Sequence, residues 1–440
     1  MKVLERIIEW GICLFVFLLP WQTRLILDEG NLNGYWEYGT ISIYATEILL
    51  WAIFVLVVIQ WIVNKFRSQK LEIQISNKIE NKKYKFVFVF LVIFTIWSLI
   101  SIFWSDSKTA MFGAWVHLIE GVGLFLVLRT VKFAVAKLLW AFAFSALIQA
   151  GLGLWQFLSQ ATFSSKWLGM AFHDPAVPGT IVVETALRRW LRAYGGLPHP
   201  NMLAGFLAAA MFFIFRLYQK IDYDFKKLLL PVFFSVLSLG LFATFSKSTI
   251  LSFLASLILS WIAFFIFKQS KEFKIDLLKF TLIFLVIVAI FSAIFWEPVQ
   301  TRIYGAERLE IKSTTERLSY FGEAWQLIKK HPLVGVGLGN YTAAIHNEID
   351  SSRAVWDYQP VHNIYLLILA ELGVIGFILW LALIFLLIKK SSATHYPLLV
   401  TVLMISLFDH YLWTLYSGVL LFWLILGVGQ KTLDNSFDKA

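Results

Sequence analysis

The chain has 440 residues, of which 59% are hydrophobic and only 15% are charged, and its mean hydropathy is +0.73. Soluble domains are nearer half apolar and a quarter charged, so this composition excludes an ordinary soluble globular protein. A formal net charge of +10 is compatible with nucleic-acid binding, but in a membrane protein it more often reflects basic residues in cytoplasmic loops. We therefore expect no nucleic-acid partner.

Apolar runs of about 20 residues recur along the whole chain and do not alternate with polar residues. Only helices and closed barrels satisfy backbone hydrogen bonds in lipid, and runs of this length favour helices. We predict an all-α, polytopic integral membrane protein that forms one membrane domain over residues 1–440. About twelve transmembrane helices are predicted: 4–20, 41–63, 86–104, 111–130, 133–157, 199–217, 228–245, 249–267, 277–296, 362–388, 396–411 and 415–428.

The basic residues predict the orientation of these helices. If residue 1 is cytoplasmic, 24 of the 38 Lys and Arg residues fall on inward-facing segments, and seven of them lie in the loop 64–85. This bias toward the inside predicts that both termini are cytoplasmic.

Two predicted outer segments are large, 158–198 and 297–361. The second, between the ninth and tenth spans, is longer than ordinary connections, which marks it as a functional loop or as a small folded cap. We expect this extracytoplasmic loop to carry part of the active site. The chain has no internal repeat, and this disfavours the transporter folds that are built from repeated halves.

Basic residues in the predicted outer segments are exceptions to the preference of Lys and Arg for the cytoplasmic side. Arg188, Arg189 and Arg192 lie in the stretch IVVETALRRWLRAYGG, which is predicted to be a short amphipathic segment before the sixth span. His199 and Asn201 follow in GLPHPNMLAGFL, where prolines fix the entry to that span, and we expect His199 to be structural.

Lys247 interrupts ATFSKSTILSF, where the seventh and eighth spans meet in a very short turn. A charge at membrane depth is costly and is a functional candidate by default. The alternative is a lysine that extends its side chain to the lipid headgroups. The sequence leaves both open.

Arg317 begins a run with helical periodicity, which predicts a helix on the membrane surface or over the spans. A positive charge near a helix N-terminus is unfavourable, and an anionic ligand would remove that penalty. The planar guanidinium bonds two phosphate oxygens at once, which suits a diphosphate. The predicted apolar face comprises Leu318, Phe321, Trp325 and Ile328.

Gly335, Gly337 and Gly339 form a GxGxG pattern in HPLVGVGLGN. No strand–helix–strand context surrounds it, so a dinucleotide site is rejected. We predict a tight turn that leads back to the membrane.

His362 follows Pro360 and precedes Asn363 at the start of a long apolar run. We expect it in the first turn of the tenth span, where the helix dipole opposes protonation of the imidazole. A neutral histidine can act as a general base. The alternative is an interfacial histidine that only forms hydrogen bonds.

Other acidic groups are candidate partners for the basic residues. Asp409, with His410, lies at the outer turn between the last two spans. Glu47, Glu120 and Glu371 fall within predicted spans and are candidates for buried partners of the basic groups.

Several of these stretches together resemble the O-antigen ligase family, which includes related O-antigen polymerases and bacterial protein O-oligosaccharyltransferases. Their order and their placement relative to the spans carry the resemblance. They are GGLPHPNMLAGFL, the TFSKS turn, RLSYFGEAW with IKKHPLVGVGLGNY, VHNIYLLILAELGVIG and FDHYLWT.

The resemblance implies a multi-pass glycosyltransferase of the bacterial cytoplasmic (inner) membrane. It would transfer a glycan en bloc from undecaprenyl diphosphate, on the outer face, to a hydroxyl of a lipid or glycan acceptor such as the lipid A core. The expected partners are this donor, the acceptor and membrane lipids. An O-antigen or polysaccharide polymerase of the same family is the alternative, and a lipid-linked glycan transporter is a more distant one.

The resemblance also implies residue roles. Arg317 and Lys247 would hold the diphosphate, and His362 would be the catalytic base. Lys247 departs from the family, where arginine is usual, and a lysine loses the bidentate fork. Neither a metal nor a cofactor is implied. Possible secondary site residues are Arg189, Arg192, His199, Asn201 and Asn363.

Overall fold

The computed structural model describes residues 2–32, 34–68, 82–221, 225–267, 270–391 and 395–431. Four of the lysines assigned to the inward side lie outside the described residues, namely Lys70, Lys78, Lys268 and Lys439.

The described chain is mainly helical, and each predicted span overlaps a helix. The helices are α1 Lys2–Leu18, α2 Ala45–Ser68, α3 Lys82–Ile100, α4 Lys108–Thr130, α5 Val135–Ser159, α6 Pro200–Tyr218, α7 Phe225–Ala243, α8 Lys247–Phe267, α9 Lys271–Ile294, α10 Trp296–Tyr304, α11 Arg308–Lys330, α12 Tyr341–Ala344, α13 Ile364–Lys390, α14 Tyr396–Ile405, α15 Tyr411–Thr414 and α16 Tyr416–Val428.

Within the described ranges, seven helices are long and apolar enough to cross a membrane: α2, α3, α4, α5, α6, α9 and α13. Four shorter apolar helices accompany them, α7, α8, α14 and α16. A mainly helical, multi-pass membrane protein therefore agrees with the sequence. The number of complete crossings, about twelve, stays a prediction.

Two small antiparallel hairpins are present that were not predicted from the sequence, and the second strand of the first hairpin occupies the start of the predicted span 41–63, whose helix begins only at Ala45. Strand β1 (Arg24–Asp28) pairs with β2 (Ile41–Tyr44), and β3 (Val182–Glu184) pairs with β4 (Arg189–Leu191). The stretch predicted to be amphipathic around Arg189 is thus a hairpin. Its β-branched valines and Trp190 suit a half-buried strand, but three residues are too few to show a period of two in the sequence.

Helix α6 lies at the centre of the bundle, and almost all of its residues are buried. It packs on α5 and α7 and contacts α8, α14 and α16. Small residues such as Ala204 and Gly205 let neighbours approach closely, as is typical of helices packed in membranes. The N-terminus of α6 therefore reaches the candidate site as a rigid element.

Helix α11 is the longest helix of the large outer loop and packs on α13. It begins at Arg308, so the expectation that Arg317 begins the helix is wrong. The first turns are polar, and their sequence therefore shows no apolar periodicity. The predicted apolar face is also wrong in part, because Leu318, Phe321 and Trp325 are exposed. The buried face consists of Tyr320, Ala324, Leu327 and Ile328.

The glycine-rich turn after α11 packs against a break inside α13. Gly335, Gly337 and Gly339 have φ of 70°, 98° and 69°, which confirms the tight turn. Gly373 interrupts α13 with φ 65° and ψ −175°. The amide of Gly337 donates to the carbonyl of Glu371 at 2.8 Å, so the turn binds backbone on the N-terminal side of the break.

Candidate active site

A cluster of histidines forms where α13 begins and α14 ends. The rings of His362 and His410 lie edge to face, with centroids 5.0 Å apart. Tyr320 of α11 stacks on the other side of His362 at 5.9 Å. Nδ1 of His410 lies 2.8 Å from the hydroxyl of Thr414. The half-buried His362 thus has its aromatic neighbours on two separate elements.

His362 precedes the helix rather than lying in its first turn, so that expectation is wrong. Asn363 is the N-cap of α13, because its side-chain oxygen accepts a hydrogen bond from the amide of Leu366 at 3.0 Å. The amide nitrogen of Asn363 donates to the carbonyl of Leu407 at 3.1 Å. Both polar ends of Asn363 are therefore used structurally.

The imidazole of His362 is nevertheless held neutral. Burial lowers its pKa below the ordinary value of 6.5, nearby Asp409 opposes this, and the charge of Arg317 lowers it further. Nδ1 lies 3.2 Å from the carbonyl of Pro360. A neutral ring that donates its Nδ1 proton to this carbonyl leaves Nε2 free to accept a proton.

Asn201, near the start of α6, bridges Arg192 and Asp409. Its side-chain oxygen accepts from Arg192 at 2.7 Å, and its amide donates to Asp409 at 2.7 Å. Arg192 also donates to the carbonyl of Thr244 at 2.6 Å. Burial, with the charge of Arg302, lowers the pKa of Arg192 to about 9.

Burial and neighbouring charges also shift the pKa values of His199 and Asp409. Nδ1 of His199 accepts a hydrogen bond from the amide of Asn201 at 3.0 Å, so it caps α6 structurally. Burial, with the charge of Arg192, lowers the pKa of His199 to about 3. Burial by itself would raise the pKa of Asp409, but His362, His410 and the hydrogen bond from Asn201 lower it.

Glu310, in the first turn of α11, forms ion pairs with two cations. Lys247, the first residue of α8, lies with Nζ 2.7 Å from one carboxylate oxygen, and Arg302 of α10 contacts the other. Burial would raise the pKa of Glu310, but these two cations lower it. The side chain of Lys247 is 43% exposed. Lys247 thus binds a carboxylate in the outer loop.

The turn between α7 and α8 is held by two arginines. Phe245 adopts a left-handed conformation with φ 49°, which is unusual for a bulky residue. The carbonyl of Phe245 accepts from Arg302 at 2.8 Å and 3.1 Å, and that of Thr244 accepts from Arg192. This strained turn fixes the position of Lys247.

Arg317 projects from the middle of α11 and is half-buried. Across the described part of the chain it makes no ion pair and no hydrogen bond. Its charge lowers the pKa values of His362, His410, Arg192 and Arg302. Arg317 is therefore within electrostatic range of the histidines and of Arg302, the partner of Glu310.

Among these groups, cations outnumber carboxylates. The cations are Arg192, Arg302, Arg317 and Lys247, the carboxylates are Glu310 and Asp409, and the histidines are neutral. The net charge therefore favours a doubly charged anion such as a diphosphate.

Arg189 does not belong to this group of charges. Its buried Nε has no hydrogen-bond partner among the described residues, and it pairs in register with Glu184 of β3.

The expectation that the membrane glutamates pair with basic groups is wrong for the residues described. Glu371 accepts from the indole of Trp413 at 2.9 Å, and Glu120 accepts from that of Trp51 at 2.7 Å. Glu47 accepts from the amide of Tyr44 at 3.0 Å. In each of these glutamates one carboxyl oxygen thus accepts from an indole or amide donor and not from a cation.

Two groups of neighbouring side chains were not predicted from the sequence. Glu310 gave no local signal, because its partners belong to other helices. Glu47, His117 and Glu120 bring potential metal-ligand atoms within 4.8 Å of one another. The i, i+3 spacing of His117 and Glu120 in HLIE was a signal for that cluster.

The comparison with known proteins agrees with the motifs. Residues 232–381 match the family model described as O-antigen ligase. No curated protein matches the chain. The matched stretch contains Lys247, Glu310, Arg317 and His362, whereas Asn201 and Asp409 lie outside it. Residues 232–381 of this chain are therefore similar to the O-antigen ligase family, in agreement with the motifs.

Proposed function

We propose that this protein transfers a glycan en bloc from undecaprenyl diphosphate to an acceptor hydroxyl at the outer face of the bacterial inner membrane. Its family supports an activity of the O-antigen ligase or polymerase type. The acceptor in this proposal is the lipid A core or a similar lipid-linked glycan. Both termini lie in the cytoplasm, in keeping with the distribution of basic residues.

One observation carries the proposal: an arginine with no ion pair among the described residues acts electrostatically on a neutral histidine. Arg317 has its guanidinium donors unused in the described structure, and its charge acts on the buried imidazole of His362. A cation that binds the leaving group and a base that accepts the acceptor's proton are the two parts that this reaction needs.

In the proposed reaction, the acceptor hydroxyl oxygen attacks the anomeric carbon of the donor sugar. A C–O bond forms there while the bond to the diphosphate oxygen breaks, and the diphosphate leaves with the electron pair. Nε2 of His362 takes the hydroxyl proton. Arg317 binds the developing charge on the diphosphate through two oxygens.

Lys247 is the second diphosphate ligand in this proposal. Its ammonium already lies 2.7 Å from Glu310, so it would share its donors between the carboxylate and the lipid diphosphate. Arg302 and Arg192 strengthen the positive field. Because side-chain cations stabilise the charge, the transfer step uses no metal.

Among the secondary candidates, we assign Asn201 to positioning. It holds Asp409 next to His362 through the 2.7 Å hydrogen bond. Arg192 orients Asn201 from the other side. His199 and Asn363 cap helices, and Arg189 takes no part in the proposal.

The test is mass analysis of products formed by purified protein from an undecaprenyl-diphosphate glycan and candidate acceptors. A lipid A core carrying one whole glycan is expected. A donor lipid whose glycan has doubled in length would instead support the polymerase alternative. His362→Ala is the inactive control, and Lys312→Ala, a change at an exposed residue of α11, is the active one.

Reconstituted liposomes separate transfer from transport. A transporter would move labelled donor across the bilayer and leave its covalent structure intact. Movement without any change in the mass of the donor would refute the transferase proposal.

A further inference from the structure

A cavity of about 180 Å³ lies between the beginning of α2, the outer half of α4 and the segment before α16. Tyr38 and Thr414 line it, and both also contact His410. Glu47 and His117 line it as well. The cavity therefore runs from the candidate active site to a second group of side chains.

That second group consists of Glu47, His117 and Glu120. Glu47 is in the first turn of α2, and His117 and Glu120 share one face of α4 at i, i+3 spacing. One potential ligand atom from each lies within 4.8 Å of the others. A tetrahedral zinc ion with bonds of about 2.0–2.2 Å holds its ligand atoms about 3.5 Å apart, so small side-chain rotations suffice.

An unsatisfied carboxylate oxygen points to a missing partner at this place. Glu120 is fully buried, with 0% of its surface exposed. One of its oxygens accepts from Trp51, and the other lies against the carboxyl group of Glu47, with no N–H donor or cation on it among the described residues. Two buried carboxyl groups in contact cannot both ionise at low cost unless a cation or a proton lies between them.

The imidazole of His117 is also without a hydrogen bond in the part of the chain described. Its ring packs edge to face against Tyr44 and Tyr416, with centroids 6.3 Å and 5.3 Å away. These aromatic contacts fix the plane of the ring and leave both nitrogens unused. A nitrogen next to two carboxylates is a donor set that transition metals accept.

We propose that Glu47, His117 and Glu120 bind one divalent transition-metal ion of the zinc type. The ion supplies the partner that the Glu120 oxygen lacks and balances two carboxylates that would otherwise repel each other. Calcium and magnesium favour six or more oxygen ligands, whereas one nitrogen and two oxygens suit zinc. The cavity supplies a fourth position for water and a path of entry.

The ion would tie α2 to α4 beneath the cavity. Tyr44, which precedes α2, stacks on Tyr416 at 4.2 Å, and Thr46 donates to the hydroxyl of Tyr416 at 3.1 Å. A metal at Glu47 would add a strong bond to this contact between the first turn of α2 and the start of α16. This role is separate from the chemistry at His362.

The experiment uses the full chain, purified in detergent and stripped of metal with a chelator. Zn²⁺ binding is measured by titration calorimetry and by elemental analysis after dialysis. One tightly bound ion per chain is expected in the wild type. His117→Ala and Glu120→Gln should each weaken binding by about tenfold or more. His331→Ala is the matched control, because it removes a partly exposed histidine paired with Glu348 in the outer loop.

Two further readouts keep the proposal testable if a variant fails to accumulate. Zn²⁺ should raise the unfolding midpoint of the wild-type chain, and Co²⁺ in its place should give the visible absorption of a low-coordinate site. Absence of a bound ion in the wild type would overturn the proposal. Equal loss of binding in His331→Ala would also overturn it, since it would show binding at surface histidines. If Glu120→Gln raises the unfolding midpoint and the wild-type chain binds no metal, the carboxyl groups of Glu47 and Glu120 share a proton and the proposal is wrong.

Discussion

At the scale of single residues, the candidate base depends on burial and on two charged neighbours. Burial lowers the pKa of His362, and Arg317 and Asp409 act on it in opposite directions. Its position just before the N-cap makes the helix dipole less important than the sequence suggested. A base must be unprotonated, so activity is expected above this lowered pKa and is lost as the pH falls through it.

The substitution Asp409→Asn tests whether the charge of Asp409 raises the pKa of His362. Asp409 raises the pKa of His362, so removing its charge should lower that pKa further. The acidic limb of the pH–rate profile should then move to lower pH, and the plateau rate should fall because the imidazole is a weaker base. Initial rates at saturating donor, measured from acidic to neutral pH, check this. Asp350→Asn, at an exposed aspartate, is the control. A limb that moves to higher pH would contradict the role of His362.

Arg317 should be far more sensitive to replacement than neighbouring basic residues. Arg317→Ala should lower kcat/KM by about 100-fold or more, because a preorganised donor to the leaving group is lost. Arg317→Lys should still lose about tenfold, since an ammonium does not bond two oxygens in one plane. Lys312→Ala on the same helix should leave the rate unchanged. Wild-type turnover in Arg317→Lys, at equal protein level, would exclude a bidentate contact.

At the scale of elements, the break in α13 positions the outer loop. Backbone groups on both sides of Gly373 bind the chain that follows α11. Val374 donates to the carbonyl of Pro332 at 2.9 Å, and Ala370 accepts from Val336 at 3.0 Å. Tyr320 and Arg317 belong to α11, so the break also determines how that helix faces His362.

Gly373→Ala should therefore destabilise the protein. The residue has φ 65°, and an added Cβ would lie 2.2 Å from the carbonyl oxygen of Leu333. The expected cost is about 2 kcal/mol or more, from backbone strain and displacement of the turn. Thermal unfolding in detergent measures it. Gly151→Ala in α5, where a Cβ meets no atom within 4 Å, should be neutral or slightly stabilising. Equal midpoints for the two variants would show that the break tolerates a side chain.

At the scale of the whole molecule, Glu310 joins its own helix α11 to the preceding helix α10 and to α8, whose Lys247 is 63 residues away in the chain. Its carboxylate binds Lys247 of α8 and Arg302 of α10. Arg302 in turn binds the turn before α8. The membrane bundle and the outer loop are thus connected through one buried carboxylate.

Glu310→Ala should lower the free energy of unfolding by about 3 kcal/mol, because Arg302 is left buried without its counter-charge. This is the low end of the range for buried pairs, since Lys247 is partly exposed. Thermal unfolding checks the value. Glu316→Ala removes the exposed pair with Lys312 on the same helix and should cost less than about 0.5 kcal/mol. A similar loss in both variants would indicate a change in α11 itself rather than a broken connection.

The sequence by itself determined the membrane class, the position of the helices and the glycine turn. Each depends on local properties: hydropathy over about 20 residues, and backbone conformations that only glycine adopts without strain. The motifs also pointed to a similarity with the O-antigen ligase family, which the match over residues 232–381 supports, and this stretch contains Lys247, Arg317 and His362.

Only the tertiary structure decided how those segments meet. Asn201 and Asp409 are 208 residues apart in the chain, and Lys247 and Glu310 are 63 apart. No local pattern encodes such contacts, because they arise from the packing of α6, α8, α11 and α13. The burial that lowers the pKa of His362, the carboxylate bound to Lys247 and the group of Glu47, His117 and Glu120 all depend on that packing.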